Sequence, residues 1–115
     1  DYHPGNLMLK AGEPVVIDWS NASRGVPEAD VVRTKIMLDY GEPPPGTSVV
    51  IRVAAKVARK LLIDSYVGAY RRAGNIDVEV MKRWELTIVV ARLTEGIPEE
   101  RERLLKHIRV LQTGA

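Results

Sequence analysis

The sequence predicts a mainly α-helical α+β fold that consists of one β-hairpin followed by about four helices. Two short apolar segments separated by turn-forming residues lie near the start, helical periodicity fills most of the remainder, and proline or glycine separates the helical segments. With 115 residues, the chain has the usual size of one domain and can bury a core. We therefore expect a single domain, residues 1–115, in which a polar hairpin region (1–25) precedes a helical region (26–115).

The first predicted element is the β-hairpin. Its apolar runs flank five turn-forming residues: Leu7-Met8-Leu9, then Lys10-Ala11-Gly12-Glu13-Pro14, then Val15-Val16-Ile17. A loop of five residues pairs Leu7 with Ile17. The same register places Asn6 opposite Asp18 at the open end of the hairpin. Because neither run alternates apolar with polar residues, we expect both faces of the hairpin to be covered.

The four helices that follow are delimited by helix-starting and helix-stopping residues. They are predicted over 26–41 with Pro27 in the first turn, over 49–73 after a Thr47 or Ser48 cap, over 78–95 after an Asp77 cap, and from Pro98 onward. The prolines at 43–45 end the first of them. The second helix is apolar on more than one face, so we expect it to be the most buried long element.

Composition excludes several classes of protein. The absence of cysteine excludes disulfides and thiolate metal sites, and it fits a reducing, cytoplasmic location. The net charge of +2 comes from 17 basic and 15 acidic residues without a basic stripe, so nucleic acid is not indicated as a partner. No uninterrupted apolar stretch approaches the ~18 residues of a transmembrane helix, so we expect no membrane partner.

Hard oxygen donors gather at the open end of the predicted hairpin. Asp18 lies there beside Asn6, and Asp1 lies on the loop that leads to Asn6. Each of these residues, taken alone, is more often a turn former beside proline or glycine, and His3 is more often a structural hydrogen-bond partner than a ligand. Carboxylate and amide oxygens are the ligands that Mg²⁺ prefers. The combination of spacing and hairpin geometry therefore favours a magnesium site.

Three segments of the chain resemble the aminoglycoside phosphotransferase family, a choline-kinase-like group of small-molecule kinases. The family's catalytic loop is similar to Asp1-Tyr2-His3-Pro4-Gly5-Asn6. Its counterpart of the kinase Asp-Phe-Gly segment is similar to Val16-Ile17-Asp18-Trp19. The Gly-x-Pro-x-x-Asp segment with which the family starts a helix is similar to Gly25-x-Pro27-x-x-Asp30. The segments occur in the family's order and spacing. The resemblance covers residues 1–30 and implies part of the C-lobe of a protein-kinase-like fold.

The resemblance implies a role for each matching residue. Asp1 would accept or orient the proton of the attacking hydroxyl, and Asn6 would bind one Mg²⁺. Asp18 would bind one or two Mg²⁺ that bridge the phosphates of ATP. His3 would shape the loop, and Asp30 would brace it. The implied activity is ATP-dependent phosphoryl transfer to the hydroxyl of a small-molecule acceptor.

The 115 residues contain neither a glycine-rich phosphate loop nor an upstream strand with an ATP-contacting lysine. We therefore expect a C-terminal fragment that is inactive by itself, that completes its site with the missing N-terminal lobe of the same parent chain, and that self-associates through exposed apolar surface. Two alternatives stay open. One is a metal-dependent hydrolase with Asp1, His3 and Asp18 as ligands, and the other is a non-catalytic helical interaction module. The glutamates at 95, 99, 100 and 102 are expected on a solvated face.

Overall fold

A computed structural model describes residues 2–20, 22–74 and 76–114. A short 3-10 turn at Pro4–Asn6 leads into strands β1 (Leu7–Lys10) and β2 (Glu13–Val16), followed by helices α1 (Pro27–Tyr40), α2 (Val49–Ala73), α3 (Val78–Thr94) and α4 (Pro98–Thr113). This order confirms the expected α+β fold of one hairpin and four helices. Within the described part of the chain, none of the helices combines the length and apolar content that a bilayer crossing requires.

The helix starts follow the local chemistry of the sequence. The Ser48 hydroxyl oxygen accepts a hydrogen bond from the Ile51 backbone N–H at 3.4 Å, and the Asp77 carboxylate accepts one from the Glu79 N–H at 2.8 Å. Both side chains satisfy backbone donors that have no partner within the helix. Helices α1 and α4 begin on proline, whose missing N–H costs nothing in a first turn.

The hairpin register differs from the expected one by one residue. The paired residues are Leu7 and Val16, Met8 and Val15, Leu9 and Pro14, and Lys10 and Glu13. The loop contains only Ala11 (φ 51°) and Gly12 (φ 84°), both in the left-handed region. Two left-handed residues are typical of a type I′ turn, whose twist matches that of the strands. This short turn extends the pairing to Lys10 and Glu13 and displaces every pair from the register of a five-residue loop.

Both faces of the hairpin are open to solvent. The side chains of Met8 and Leu9, which point to opposite faces of β1, are 57% and 76% exposed. The expectation of a hairpin covered on both faces is therefore wrong for these residues. The physical reason is that the helices pack on one another, chiefly α1 on α3 and α3 on α4, rather than on the strands.

The hydrophobic core lies between α1, α3 and α4. Its buried cluster consists of Val32, Ile36, Val89 and Leu104, with partly buried apolar side chains packed around it. Helix α2 contributes Ile63 as its one buried residue, whereas Leu61 is 63% exposed. The expectation that α2 is the most buried long element is therefore wrong. Helix α2 packs mainly along α1, and its second apolar face lies in solvent.

A buried ion cluster joins three of the helices. The guanidinium of Arg92 on α3 donates two hydrogen bonds of 2.7 Å to Glu100 on α4 and a third, of 2.6 Å, to Glu95. Glu95 also pairs with Arg33 on α1 at 3.0 Å. Glu100 is only 2% exposed, so its expected place on a solvated face is wrong. The hydrogen bonds that Arg92 donates to Glu100, more than any other effect, raise the pKa of Arg92 above its usual value.

Candidate active site

His3 shapes the start of the loop at the open end of the hairpin. Its Nδ1 accepts a hydrogen bond from the Gly5 backbone N–H at 3.1 Å, which caps the turn Pro4–Asn6. The Asn6 N–H in turn donates to the carbonyl oxygen of His3 at 2.9 Å. A Cβ atom at Gly5 would lie 2.9 Å from the His3 ring. Glycine at this position therefore allows the imidazole to close over the turn.

The end of this loop is joined to the second strand of the hairpin. The Ile17 N–H donates to the Asn6 carbonyl oxygen at 2.9 Å, so Asn6 lies level with Ile17 and one position before Asp18. The expectation that Asn6 faces Asp18 is wrong by one residue, for the same reason as the strand register. Both residues nevertheless lie at the open end of the hairpin, at neighbouring levels of the two chain segments.

Asp18 lies where the chain leaves β2 and turns away. Its backbone φ of 59° is left-handed, a conformation that aspartate tolerates better than most residues. The Ser20 hydroxyl donates to the Asp18 carboxylate at 2.6 Å. Hydrogen bonds from the side chain and the backbone of Ser20 lower the pKa of Asp18 below its usual value. The carboxylate is exposed and ionised at neutral pH, which suits it to bind a cation.

Two helices hold the loop from the other side. The Thr34 hydroxyl on α1 donates to the carbonyl oxygen of Tyr2 at 2.8 Å. The Tyr2 ring stacks on that of Tyr66 from α2, with ring centroids 5.3 Å apart and an interplanar angle of 19°. Neither contact is predicted by the sequence pattern. The available signal was a hydroxyl residue, Thr34, within the apolar pattern of α1.

Two further residues were predicted for the site, Asp1 and Asp30. Asp1, the expected catalytic base, lies outside the described residues. Asp30 is exposed in the first turn of α1, and its charge is one of the smaller effects that raise the pKa of Tyr66. The proposed bracing of the loop by Asp30 thus stays a prediction from the resemblance.

The donor chemistry at the open end of the hairpin fits a hard divalent cation. In the ranges 2–20, 22–74 and 76–114, no three His, Asp or Glu side chains converge on one point. Mg²⁺ needs no such cluster, because it commonly takes one or two carboxylates and completes its shell with water and substrate phosphate. The ionised carboxylate of Asp18 and the amide oxygen of Asn6 are ligands of that kind.

A cavity of about 220 Å³ lies next to the loop. The residues that line it are His3, Pro4, Met37, Leu38, Gly41, Arg59 and Arg92. Arg59 donates a hydrogen bond to the carbonyl oxygen of Gly41, which joins α2 to the end of α1. The cavity is shallow and open to solvent, and it lies beside the turn that His3 caps.

Comparison with known families finds a match to a phosphotransferase family. Residues 1–72 match the family model of APH, the phosphotransferase enzyme family. The matched segment extends from the loop through the hairpin and α1 and nearly to the end of α2, which is more than half of the 115 residues. A search of the curated proteins found no match, and a search of the solved structures found none either.

Proposed function

Because the chain belongs to the APH phosphotransferase family, we propose that it carries the metal-binding and hydroxyl-activating part of an ATP-dependent small-molecule kinase. The family match over residues 1–72 carries this proposal. The described geometry supports it, since the loop and the Asp18 turn meet at one end of the hairpin. The reaction would transfer the terminal phosphoryl group of ATP to a hydroxyl of a small acceptor.

The proposed roles follow the chemistry of each side chain. Asp1 orients the acceptor hydroxyl and receives its proton. Asn6 and Asp18 hold Mg²⁺, which when bound neutralises charge on the phosphate oxygens. An aspartate is already ionised near neutral pH, and Ser20 lowers the pKa of Asp18 further, which extends the pH range in which this carboxylate can bind a cation toward more acidic values. His3 keeps the turn that separates the base from the first metal ligand.

The proposal includes a second lobe. The sequence of these 115 residues lacks a glycine-rich loop and a strand lysine for the phosphates, and we propose that another lobe of the same protein supplies them. Correct positioning of two reactants contributes roughly 7–11 kcal/mol to catalysis. Residues 1–115 by themselves should consequently bind Mg²⁺ weakly, bind ATP poorly and transfer no phosphate at a measurable rate.

The metal-dependent hydrolase receives less support. It requires His3 as a metal ligand, whereas His3 Nδ1 accepts the Gly5 N–H; the ring proton then lies on Nε2, and neither nitrogen has a free lone pair for a metal. Family membership also favours phosphoryl transfer over metal-dependent hydrolysis. A non-catalytic module would bind its partner through the exposed apolar face of α2. Membership in an enzyme family makes this alternative less favoured as well.

The decisive experiment replaces Asp18 in the protein that carries both lobes. ATP consumption is measured with Mg²⁺ and a panel of sugars, amino alcohols and aminoglycosides. We expect turnover by the wild type and a loss of roughly 10²-fold or more in Asp18→Asn, the scale of removing one preorganised electrostatic contact. Asp64→Asn, an equally conservative change at an exposed aspartate on α2, should leave turnover unchanged. Full activity of Asp18→Asn would contradict the assigned role.

A further inference from the structure

We infer that Thr34 and Tyr66 are positioning residues that hold the catalytic loop against α1 and α2 in the geometry that phosphoryl transfer requires. This inference rests on the proposed function, because the placement of the loop affects a rate only if the loop carries the chemistry. It adds two residues that lie outside the three motif segments. The two residues act on the same point, Tyr2, in different ways.

Thr34 fixes the backbone of the loop. It is 2% exposed and lies in the middle of α1, where a threonine hydroxyl commonly bonds back to a carbonyl of its own helix. Here the hydroxyl donates instead to the carbonyl oxygen of Tyr2, 32 residues away, at 2.8 Å. This carbonyl belongs to the peptide that links Tyr2 to His3. The bond therefore sets the distance between α1 and the segment that precedes the His3-capped turn.

Tyr66 fixes the orientation of the loop. Its ring stacks nearly parallel to the Tyr2 ring and makes an edge-to-face contact with the Tyr70 ring, with the ring centroids 5.5 Å apart. Burial, partly offset by a hydrogen bond with Thr34, raises the pKa of Tyr66 to about 12, so the phenol stays neutral at physiological pH. A backbone hydrogen bond and a stacked ring restrain Tyr2 along two different directions.

The restraint at Tyr2 is transmitted to the proposed base. Asp1 directly precedes Tyr2 in the sequence, so the position of Tyr2 limits where Asp1 can lie. At its other end the loop is held to the hairpin by the hydrogen bond from the Ile17 N–H to the Asn6 carbonyl oxygen, so the contacts at Tyr2 restrain the end that carries the proposed base. Since a misplacement of a catalytic group by about 1 Å can cost roughly 10²-fold in rate, we expect the loss of the contacts from Thr34 or Tyr66 to affect turnover more than substrate binding.

The test compares two substitutions at one position in the two-lobe protein. Thr34→Val removes the hydroxyl at nearly unchanged volume, and Thr34→Ser keeps the hydroxyl but loses the methyl group. We expect Thr34→Val to lower kcat roughly 10- to 100-fold while KM for ATP changes less than about twofold. Thr34→Ser should restore kcat to within about threefold of the wild type. A purely structural role would lower the melting temperature of both variants and leave the kcat of the folded fraction unchanged.

Each outcome separates this inference from the proposed function. A wild type that turns over, together with a Thr34→Val variant of equal kcat, overturns the inference and leaves the proposed function standing. A wild type without turnover on any acceptor contradicts the proposed function. The restraint of Tyr2 by Thr34 is then tested in the 115-residue chain by hydrogen exchange of the Asn6 amide. The exchange rate should be at least tenfold higher in Thr34→Val but not in Thr34→Ser. Unchanged exchange overturns it.

A second variant keeps the inference testable if Thr34→Val does not fold. Tyr66→Leu removes the stacked ring, whereas Tyr66→Phe retains the ring and loses only the hydroxyl. We expect Tyr66→Leu to lower kcat and to accelerate exchange of the Asn6 amide, and Tyr66→Phe to stay close to the wild type in both measurements. Equal behaviour of the two variants would refute the role of the stacked ring.

Discussion

Replacing Leu104 by alanine should destabilise the protein far more than the same replacement at Leu61. Leu104 is 1% exposed and belongs to the cluster of α1, α3 and α4. Leucine-to-alanine changes in such positions cost roughly 2–5 kcal/mol. The neighbouring side chains at Ile108 and Leu111 are only partly buried and can relax into the space. We therefore expect a loss of about 3 kcal/mol, in the lower half of that range.

Leu61 provides the matched control, because it undergoes the same chemical change in the longest helix. Its exposed fraction is 63%, so only about a third of its side chain leaves water on folding. Full burial of a leucine contributes roughly 1.5–3 kcal/mol, and Leu61→Ala should accordingly cost below about 1 kcal/mol. The apolar pattern of the sequence alone, which makes α2 the most buried long helix, predicts instead a core-sized loss of roughly 2–5 kcal/mol for Leu61→Ala.

The assay is thermal and urea denaturation of the two variants beside the wild type. With roughly 4 °C of melting temperature per kcal/mol for a domain of this size, Leu104→Ala should melt about 12 °C lower and Leu61→Ala less than about 4 °C lower. The urea transitions should show the same ranking with unchanged slopes. An equal loss at the two positions, or a larger one at Leu61, would refute the assignment of the core to α1, α3 and α4.

Three further predictions concern the ion cluster, the candidate metal ligand and the turn. Glu100→Gln leaves Arg92 buried with one carboxylate fewer and should cost roughly 3 kcal/mol in urea denaturation; a loss no larger than at an exposed glutamate of the same helix would contradict this. Ser20→Ala removes the hydrogen bond that lowers the pKa of Asp18, so an NMR titration should show this pKa rising toward its usual value. Stability from the lowered pKa is present above the unfolded-state pKa and is lost as the pH falls through the folded-state pKa. The stabilities of wild type and variant should therefore differ at neutral pH and converge once the pH lies below the folded-state pKa of Asp18; a constant difference would count against this linkage. Ala11→Asn should stabilise the hairpin by roughly 0.5–1 kcal/mol, because asparagine adopts positive φ more readily, and faster hydrogen exchange of the strand amides would contradict it.

The sequence by itself determined the elements whose causes are local. Ser48 and Asp77 fix the starts of α2 and α3 because a cap acts within one helical turn. Gly12 marks the hairpin turn because few other residues accept its positive φ. The match of residues 1–72 to the phosphotransferase family confirms the resemblance based on 1–30, since a motif is a property of neighbouring residues and needs no packing to be detected.

Only the tertiary structure decided which apolar faces are buried and which distant residues meet. The apolar pattern of α2 shows that two faces could be buried, but α1 covers mainly the one that contains Ile63. The sequence does not distinguish Glu100 from other glutamates in a first helical turn, and only the packing of α3 on α4 brings Arg92 into contact with it. Thr34 reaches Tyr2 because α1 crosses the start of the chain 32 residues after it. These contacts depend on the relative placement of whole elements, which arises from the summed packing of many side chains and which the neighbouring residues in the sequence do not specify.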